Sequence, residues 1–243
     1  MTRNPRRIQL AAGYILHHRP YRDTSRILEV FTRDFGRLSL FARGVRGPKS
    51  KLAALLQPFQ PLLLSWSGRG EAPQLTGAES SGDPRPLPPQ RLMAGFYFNE
   101  LLLKLTTRHD PLPALFDAYD AALTGLRQDA PLEPTLRVFE KRLLDAIGYG
   151  LDLATEIRTG RAIEPESFYH FRPAQGLLEV SPDAPGAIAG RSIISLARES
   201  LADRRELDDS RRLLQAALSH CLEGRELTTR AVARSIARRE SLT

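Results

Sequence analysis

The 243-residue chain is 42% apolar and 26% charged, the balance of a globular protein long enough for two domains. No apolar run approaches the ~18 residues of a membrane span, and Met1–Leu10 lacks the apolar core of a signal peptide. Cys221, the only cysteine, excludes an intrachain disulfide or a cysteine-built zinc cluster and fits a reducing, cytoplasmic setting. Residues 1–51 carry twelve Lys or Arg against three Asp or Glu, a net of +9; the whole chain is +7, so residues 52–243 sum to −2. That asymmetry points to a polyanionic partner for the N-terminal part, with a nucleic-acid backbone as the first candidate.

Residues 7–80 read as strands between turns. Leu10–Leu16 is apolar and ends at His17-His18-Arg19-Pro20. Ser25–Thr32, rich in β-branched and aromatic residues, leads into an Arg33-Asp34-Phe35-Gly36 turn. Arg37–Arg43 alternates strictly, with Leu38, Leu40 and Ala42 on one side and Arg37, Ser39, Phe41 and Arg43 on the other. Pro61–Trp66 alternates again, and Ser67-Gly-Arg-Gly70 turns toward a last strand near Gln74–Ala78. Five short strands in this span predict a small barrel, of which the OB-fold is the five-stranded, oligonucleotide-binding kind. Residues 82–89 hold four prolines and read as a stiff connector.

Helical periods follow. Arg91–Thr107 is apolar on most sides and predicts a central helix. Leu115, Phe116, Tyr119, Ala122, Leu123 and Leu126 form one stripe. Leu136, Phe139, Leu143 and Ile147 form another, ending at Gly148. Residues 149–190 are rich in Gly and Pro, with a hairpin expected around Phe168–Val180. Helices resume at about 191–202 and along the Leu213–Leu222 stripe. A last helix, about 226–240, would place Arg230, Arg234 and Arg238 on one face. The fold class expected is α+β. Residues 1–81 form an OB-fold barrel, residues 82–150 and 190–243 a helical domain, and residues 151–189 an irregular insert.

Arg37, Phe41 and Arg43 offer a base-stacking ring between two guanidiniums. The loop behind them adds Arg46, Lys49 and Lys51 without an acid, and its glycines let amides approach an anion. Arg26 joins these as a DNA-binding candidate. An ordinary solvated strand face is the alternative. The loop is no P-loop: Gly44 and Gly47 are too close, and Pro48 removes an amide. No Gly-x-Ser-x-Gly elbow is present, and the five histidines lack metal-ligand spacing. Glu100, inside an apolar stretch, reads as a structural carboxylate that pairs with an arginine or caps a polar seam. Arg137, Lys141 and Arg142 beside Leu136, Phe139 and Leu143 suggest an apolar groove edged by cations, suited to an acidic peptide with a hydrophobic end. The solvated face of a core helix is the alternative there.

These pieces resemble the bacterial recombination-mediator family RecO. The resemblance rests on Arg19-Pro-Tyr-Arg-Asp-Thr-Ser25, Val30-Phe-Thr32, Gly36-Arg37 and Ala42-Arg-Gly44 with the basic loop behind it. Gln57-Pro-Phe59, Asn99-Glu-Leu-Leu102, Phe139-Glu140, Gly148-Tyr-Gly150, and Leu227 with Arg230 fit the same pattern. It implies a non-enzymatic, cytoplasmic, nucleoid-associated DNA-repair protein. Such a protein binds single- and double-stranded DNA, anneals complementary strands, binds the acidic C-terminal tail of single-stranded DNA-binding protein (SSB), and with RecR helps load RecA in the RecF pathway. The tail site would fall on Arg137, Phe139, Lys141 and Leu143. Many members carry a four-cysteine zinc module at residues 150–180; with no cysteine there, no metal and no cofactor are expected. Charge and stacking alone leave open an RNA-binding or ribosome-associated OB-fold protein.

Overall fold

The computed structural model describes residues 7–47, 50, 52–83, 85–229, 231 and 232. It is an α+β fold. Five strands come first: β1 (Arg7–Tyr21), β2 (Ser25–Thr32), β3 (Gly36–Ala42), β4 (Leu62–Ser67) and β5 (Gln74–Ser80), with a single helical turn, α1 (Leu52–Leu55), between β3 and β4. Their order, β1-β2-β3-β5-β4, returns to β1. The β3–β5 contact is one parallel pair, Phe41 with Gln74.

β1 makes the closure possible because it serves two neighbours. Residues 7–13 pair with β4 and residues 13–21 with β2. Bulges between Ile8 and Ala11 and between Ile15 and His17 bend it from one partner to the other. The strand also runs four residues past the expected stop at His17. Pro20 is tolerated there because its β4-facing edge is already unpaired. Inward-facing Ile15, Leu28, Val30, Leu38, Leu40, Leu62, Leu64 and Trp66 fill the barrel, as strict alternation requires.

The helices α2 (Leu92–Leu105) and α3 (Pro113–Arg127) belong with the barrel. The described residues divide into a unit running to Arg127 that regains the chain at Leu227, and a second unit, Gln128–Glu226. The division therefore falls after α3, not at the proline-rich stretch. Aromatic packing is the reason: Tyr14 meets Phe116 and Tyr119 with ring centroids at 5.7 and 5.1 Å, and Phe31 meets Phe116 at 5.7 Å. Tyr119 donates to the Asn99 amide oxygen, and Asn99 Nδ2 donates to the Leu16 carbonyl at 2.8 Å. Glu100 accepts from the Thr228 and Thr229 amides at 2.8 and 2.9 Å and from Thr229 Oγ1 at 2.7 Å. It caps the returning segment and also pairs with Lys104.

The second unit holds α4 (Leu132–Ala146), the hairpin β6 (Phe168–Arg172) and β7 (Gly176–Val180) with β8 (Ile188–Ala189), then α5 (Gly190–Ala197) and α6 (Arg204–Cys221). Asp203 and Glu206 start α6 with reciprocal hydrogen bonds, a capping box. Leu213, Leu214, Ala217 and Leu218 of α6, Ile193 and Leu196 of α5, and Phe139, Leu143 and Leu144 of α4 are among its buried apolar residues. Among the described residues, no helix is long and apolar enough to cross a membrane.

Candidate nucleic-acid interface

Strand register decides which side chains share the outer face of β1–β2–β3. Four rows follow from the pairings: Tyr14/Phe31/Arg37, His17/Glu29/Ser39, Arg19/Ile27/Phe41, and Tyr21/Ser25 with Arg43 at the end of the same file. The first row lies under α2 and α3. The last two are open, with Arg19, Tyr21 and Arg43 exposed and Phe41 half-buried.

The constellation Arg37, Phe41, Arg43 is therefore split. Arg37 is 12% exposed and faces the helical layer. Its Nε and Nη2 donate to the Thr106 hydroxyl and carbonyl at 3.2 and 2.8 Å, and Nη1 reaches Glu29 at 3.3 Å. Burial pulls this guanidinium below an arginine's ordinary pKa, Arg108 adds to that, and Glu29 opposes it. Arg37 is thus a joint between barrel and helices rather than an open contact, because its row is the one the helices cover. Arg26 is also displaced. It lies opposite Ala42 and Pro20, on the other face of the sheet from Phe41, and its Nη1 is buried without a hydrogen-bond partner. Burial, then the Arg26 charge, then His17 lower the pKa of His18, which is partly buried.

At the open end, Tyr21 and Phe41 meet edge to face at 5.6 Å, and the Arg22 guanidinium lies 5.4 Å from the Tyr21 ring centre. Arg46 ties the loop after β3 to the β1–β2 turn: its amide donates to the Thr24 carbonyl at 2.8 Å and its Nη1 to the Arg22 carbonyl at 3.1 Å. The Phe41 amide donates to the Pro73 carbonyl at 2.9 Å, which brings the β4–β5 loop beside the platform. Two aromatic rings framed by the exposed Arg19, Arg22, Arg43 and Arg46 can take bases on their faces and phosphates on their rim. The strand 2–3 face with the first and last hairpin loops is where OB-folds hold oligonucleotides. The sequence carries Arg19, Tyr21 and Arg22 in its family stretch but not in its interface candidates, because the apolar run stops at His17. The alternation of Arg19 and Tyr21 about Pro20 is the signal that extends the strand. Lys49 and Lys51 lie outside the described residues, as do Arg230, Arg234 and Arg238.

The predicted groove on α4 is closed. Phe139 and Leu143 are 1% and 0% exposed, because the apolar stripe of an amphipathic helix is the side it buries, here in the core shared with α6. Arg137 pairs with Glu140 at 3.1 Å, both buried. Lys141 reaches Glu199 at 3.2 Å and Asp145 at 3.3 Å, and Arg142 pairs with both oxygens of Glu199 at 2.6–3.1 Å. Of these cations Arg142 is the most accessible, at 44%.

On α6, Arg204, Arg205, Arg211 and Arg212 line one shallow hollow with Asp208 and Asp209. Buried Asp209 accepts from the Ala189 amide and the Ser192 hydroxyl at 3.1 and 2.8 Å and also pairs with Arg212, while Arg204 pairs with Asp208 at 3.1 Å, so the hollow carries four arginines against two paired aspartates.

The residues at the position of the family's zinc module do not fit a zinc ion. Asp152 accepts from the Ala154 and Thr155 amides and the Thr155 hydroxyl, Glu156 from the Thr159 amide and hydroxyl, and His170 Nε2 contacts the Pro185 carbonyl. Apart from Glu156 Oε1, which is buried without a hydrogen-bond partner, these contacts tie the groups to local turns. Among the described residues no three His, Cys, Asp or Glu are grouped to hold a metal, with Glu156 or elsewhere.

Known sequences match both parts of the chain. Residues 8–82 match the family described as "Recombination protein O N terminal", and residues 88–231 that described as "Recombination protein O C terminal". The chain is 42% identical over 232 residues to "DNA repair protein RecO" of Methylococcus capsulatus, covering 96% of each. It is 42% identical over 234 residues to the same-named protein of Nitrosococcus oceani, covering 96% of this chain and 95% of that one. It is 38% identical over 234 residues to that of Cupriavidus metallidurans, covering 95% and 78%. A five-stranded barrel with a cationic, aromatic face, followed by helices and matched over both halves, places the chain in the RecO family.

Proposed function

We propose that the protein is a DNA-repair mediator that binds single-stranded DNA on the open end of the barrel's outer face. The carrying observation is the Tyr21–Phe41 pair framed by Arg19, Arg22, Arg43 and Arg46. Bases stack on the two rings and phosphates meet the rim, so affinity is salt-dependent and carries little sequence information. Double-stranded DNA engages the same cations through its backbone.

Annealing requires two strands to be held together against their mutual repulsion. The α6 hollow with its four arginines supplies a second cationic surface. Neutralising both backbones lowers the repulsion, and tethering both strands to one protein raises their local concentration. No catalytic side chain is needed, and the protein works as a non-enzymatic mediator in this reading. The acidic tail of SSB docks on the second unit, where Arg142, 44% exposed although paired with Glu199, is the accessible cation of α4. With RecR, the protein then opens SSB-coated DNA to RecA.

Annealing of SSB-coated complementary oligonucleotides, with intact and tail-less SSB, tests this. Faster annealing that depends on the tail is expected. Structured RNA outcompeting single-stranded DNA, with no annealing, would favour an RNA-binding protein instead.

A further inference from the structure

The connector between α2 and α3 lies along the edge of β3 that β5 leaves unpaired before Phe41. Arg37 and Arg108 form an isolated parallel bridge, and the His109 amide donates to the Arg37 carbonyl at 2.9 Å. The Arg37 guanidinium donates twice to Thr106, to its hydroxyl and its carbonyl. The approach is so close that a Cβ on Gly36 would sit 2.2 Å from the Asp110 carbonyl oxygen, and Gly36 has φ +66°. Glycine alone admits both conditions.

Residues 107–110 of the connector are exposed. Arg108 reaches across β3 to pair with Glu29, yet stays 44% exposed. Glu29 faces Ser39, and the next row on that face is Ile27/Phe41, roughly 7 Å further along the strands. The bond to Glu29 uses one of the five N–H donors of a guanidinium. The others remain at the edge of the stacking platform, on the opposite side from Arg43.

We propose, resting on the platform reading above, that Arg108 is a further phosphate contact for single-stranded DNA, and that Arg37 is the positioning residue that holds the connector carrying it. The platform then has a cationic border at both ends of the β3 face. Arg37 serves this role through its forked hydrogen bonds rather than through its charge.

Salt titrations of oligothymidine binding separate the roles. Arg108→Ala is expected to lower the log–log salt slope by about 0.7, as Arg43→Ala does, while Arg108→Lys keeps it. Arg37→Lys retains charge but loses the fork; it should lower the slope as much as Arg108→Ala, with the double variant no lower than either. An unchanged slope in Arg108→Ala beside a lowered one in Arg43→Ala removes Arg108 and leaves the platform standing. Unchanged slopes in both remove the platform and Arg108 together. A full slope in Arg37→Lys overturns its positioning role. Labelling of the unaltered protein with an arginine-selective dicarbonyl guards against variants that fail to fold. Oligothymidine should slow modification of Arg108, and protection of Arg43 without protection of Arg108 would contradict the assignment.

Discussion

On the proposed platform Tyr21 and Phe41 would contribute stacking and Arg43 and Arg46 charge, and the two can be told apart by salt. Alanine at Tyr21 or Phe41 is expected to weaken single-stranded DNA binding by about 1–3 kcal/mol per base lost from the stack, at unchanged salt slope. Alanine at Arg43 or Arg46 is expected to flatten the slope by about 0.7 each. Anisotropy titrations across a salt series read both. Glu100 answers to pH. Burial alone would raise its pKa, but the Thr229 and Thr228 donors and Lys104 outweigh it and hold the carboxyl at about 2. Because the folded value lies below the unfolded one, the stabilisation is complete above about 4.3 and is lost as pH falls toward 2. The Thr228 and Thr229 amide resonances should titrate with a midpoint near 2 in the folded protein. A midpoint near 4 would remove Glu100 as the cap.

At the scale of elements, the joint between barrel and helices matters most. The rings of Tyr14 and Phe31 lie on the barrel's outer face, and Phe116 and Tyr119 of α3 cover them. Phe116→Ala is expected to cost about 3–5 kcal/mol in denaturant unfolding. Asn99→Leu removes the side-chain donor to the Leu16 carbonyl, at about 1–3 kcal/mol if that group is left unsatisfied. Gly36→Ala adds backbone strain of about 1–3 kcal/mol to a clash with Asp110. It should loosen the 106–112 connector, seen as faster amide exchange at His109. Full protection of His109 in that variant would contradict the close approach.

At the scale of the whole molecule, carboxylate-capped turns stand where the family resemblance implies a zinc module. The Thr155 hydroxyl and the Ala154 amide lower the pKa of Asp152, and the Thr159 hydroxyl lowers that of Glu156. Depressed carboxylates stabilise above their unfolded values, so this contribution is present at neutral pH and is lost as pH drops below about 4. Melting temperature should therefore be insensitive to chelators, and metal analysis should find no stoichiometric zinc. A zinc-dependent melting temperature would overturn the assignment. The two cationic surfaces also predict a separation of functions. Arg204→Glu with Arg211→Glu should slow annealing while leaving binding of a single oligonucleotide to the barrel face intact.

The chain alone determined the strand and helix periods, the basic N-terminal third, the barrel class and the family resemblance, since each depends on local spacing and composition. Ser25–Thr32 and Arg37–Arg43 read as strands because alternation is written into them. Membership of one cationic surface was not local. Arg37 and Arg43 share a strand face, yet helices from sixty and more residues downstream cover the row of Arg37 and leave that of Arg43 open. Arg19 and Tyr21 joined Phe41 only through cross-strand register, and Arg108 only through a connector laid on the edge of β3. The stripe of Phe139 and Leu143 signalled burial but not whether a core or a partner would supply it. Periodicity tells which side of an element is apolar; what comes to lie against that side depends on long-range packing.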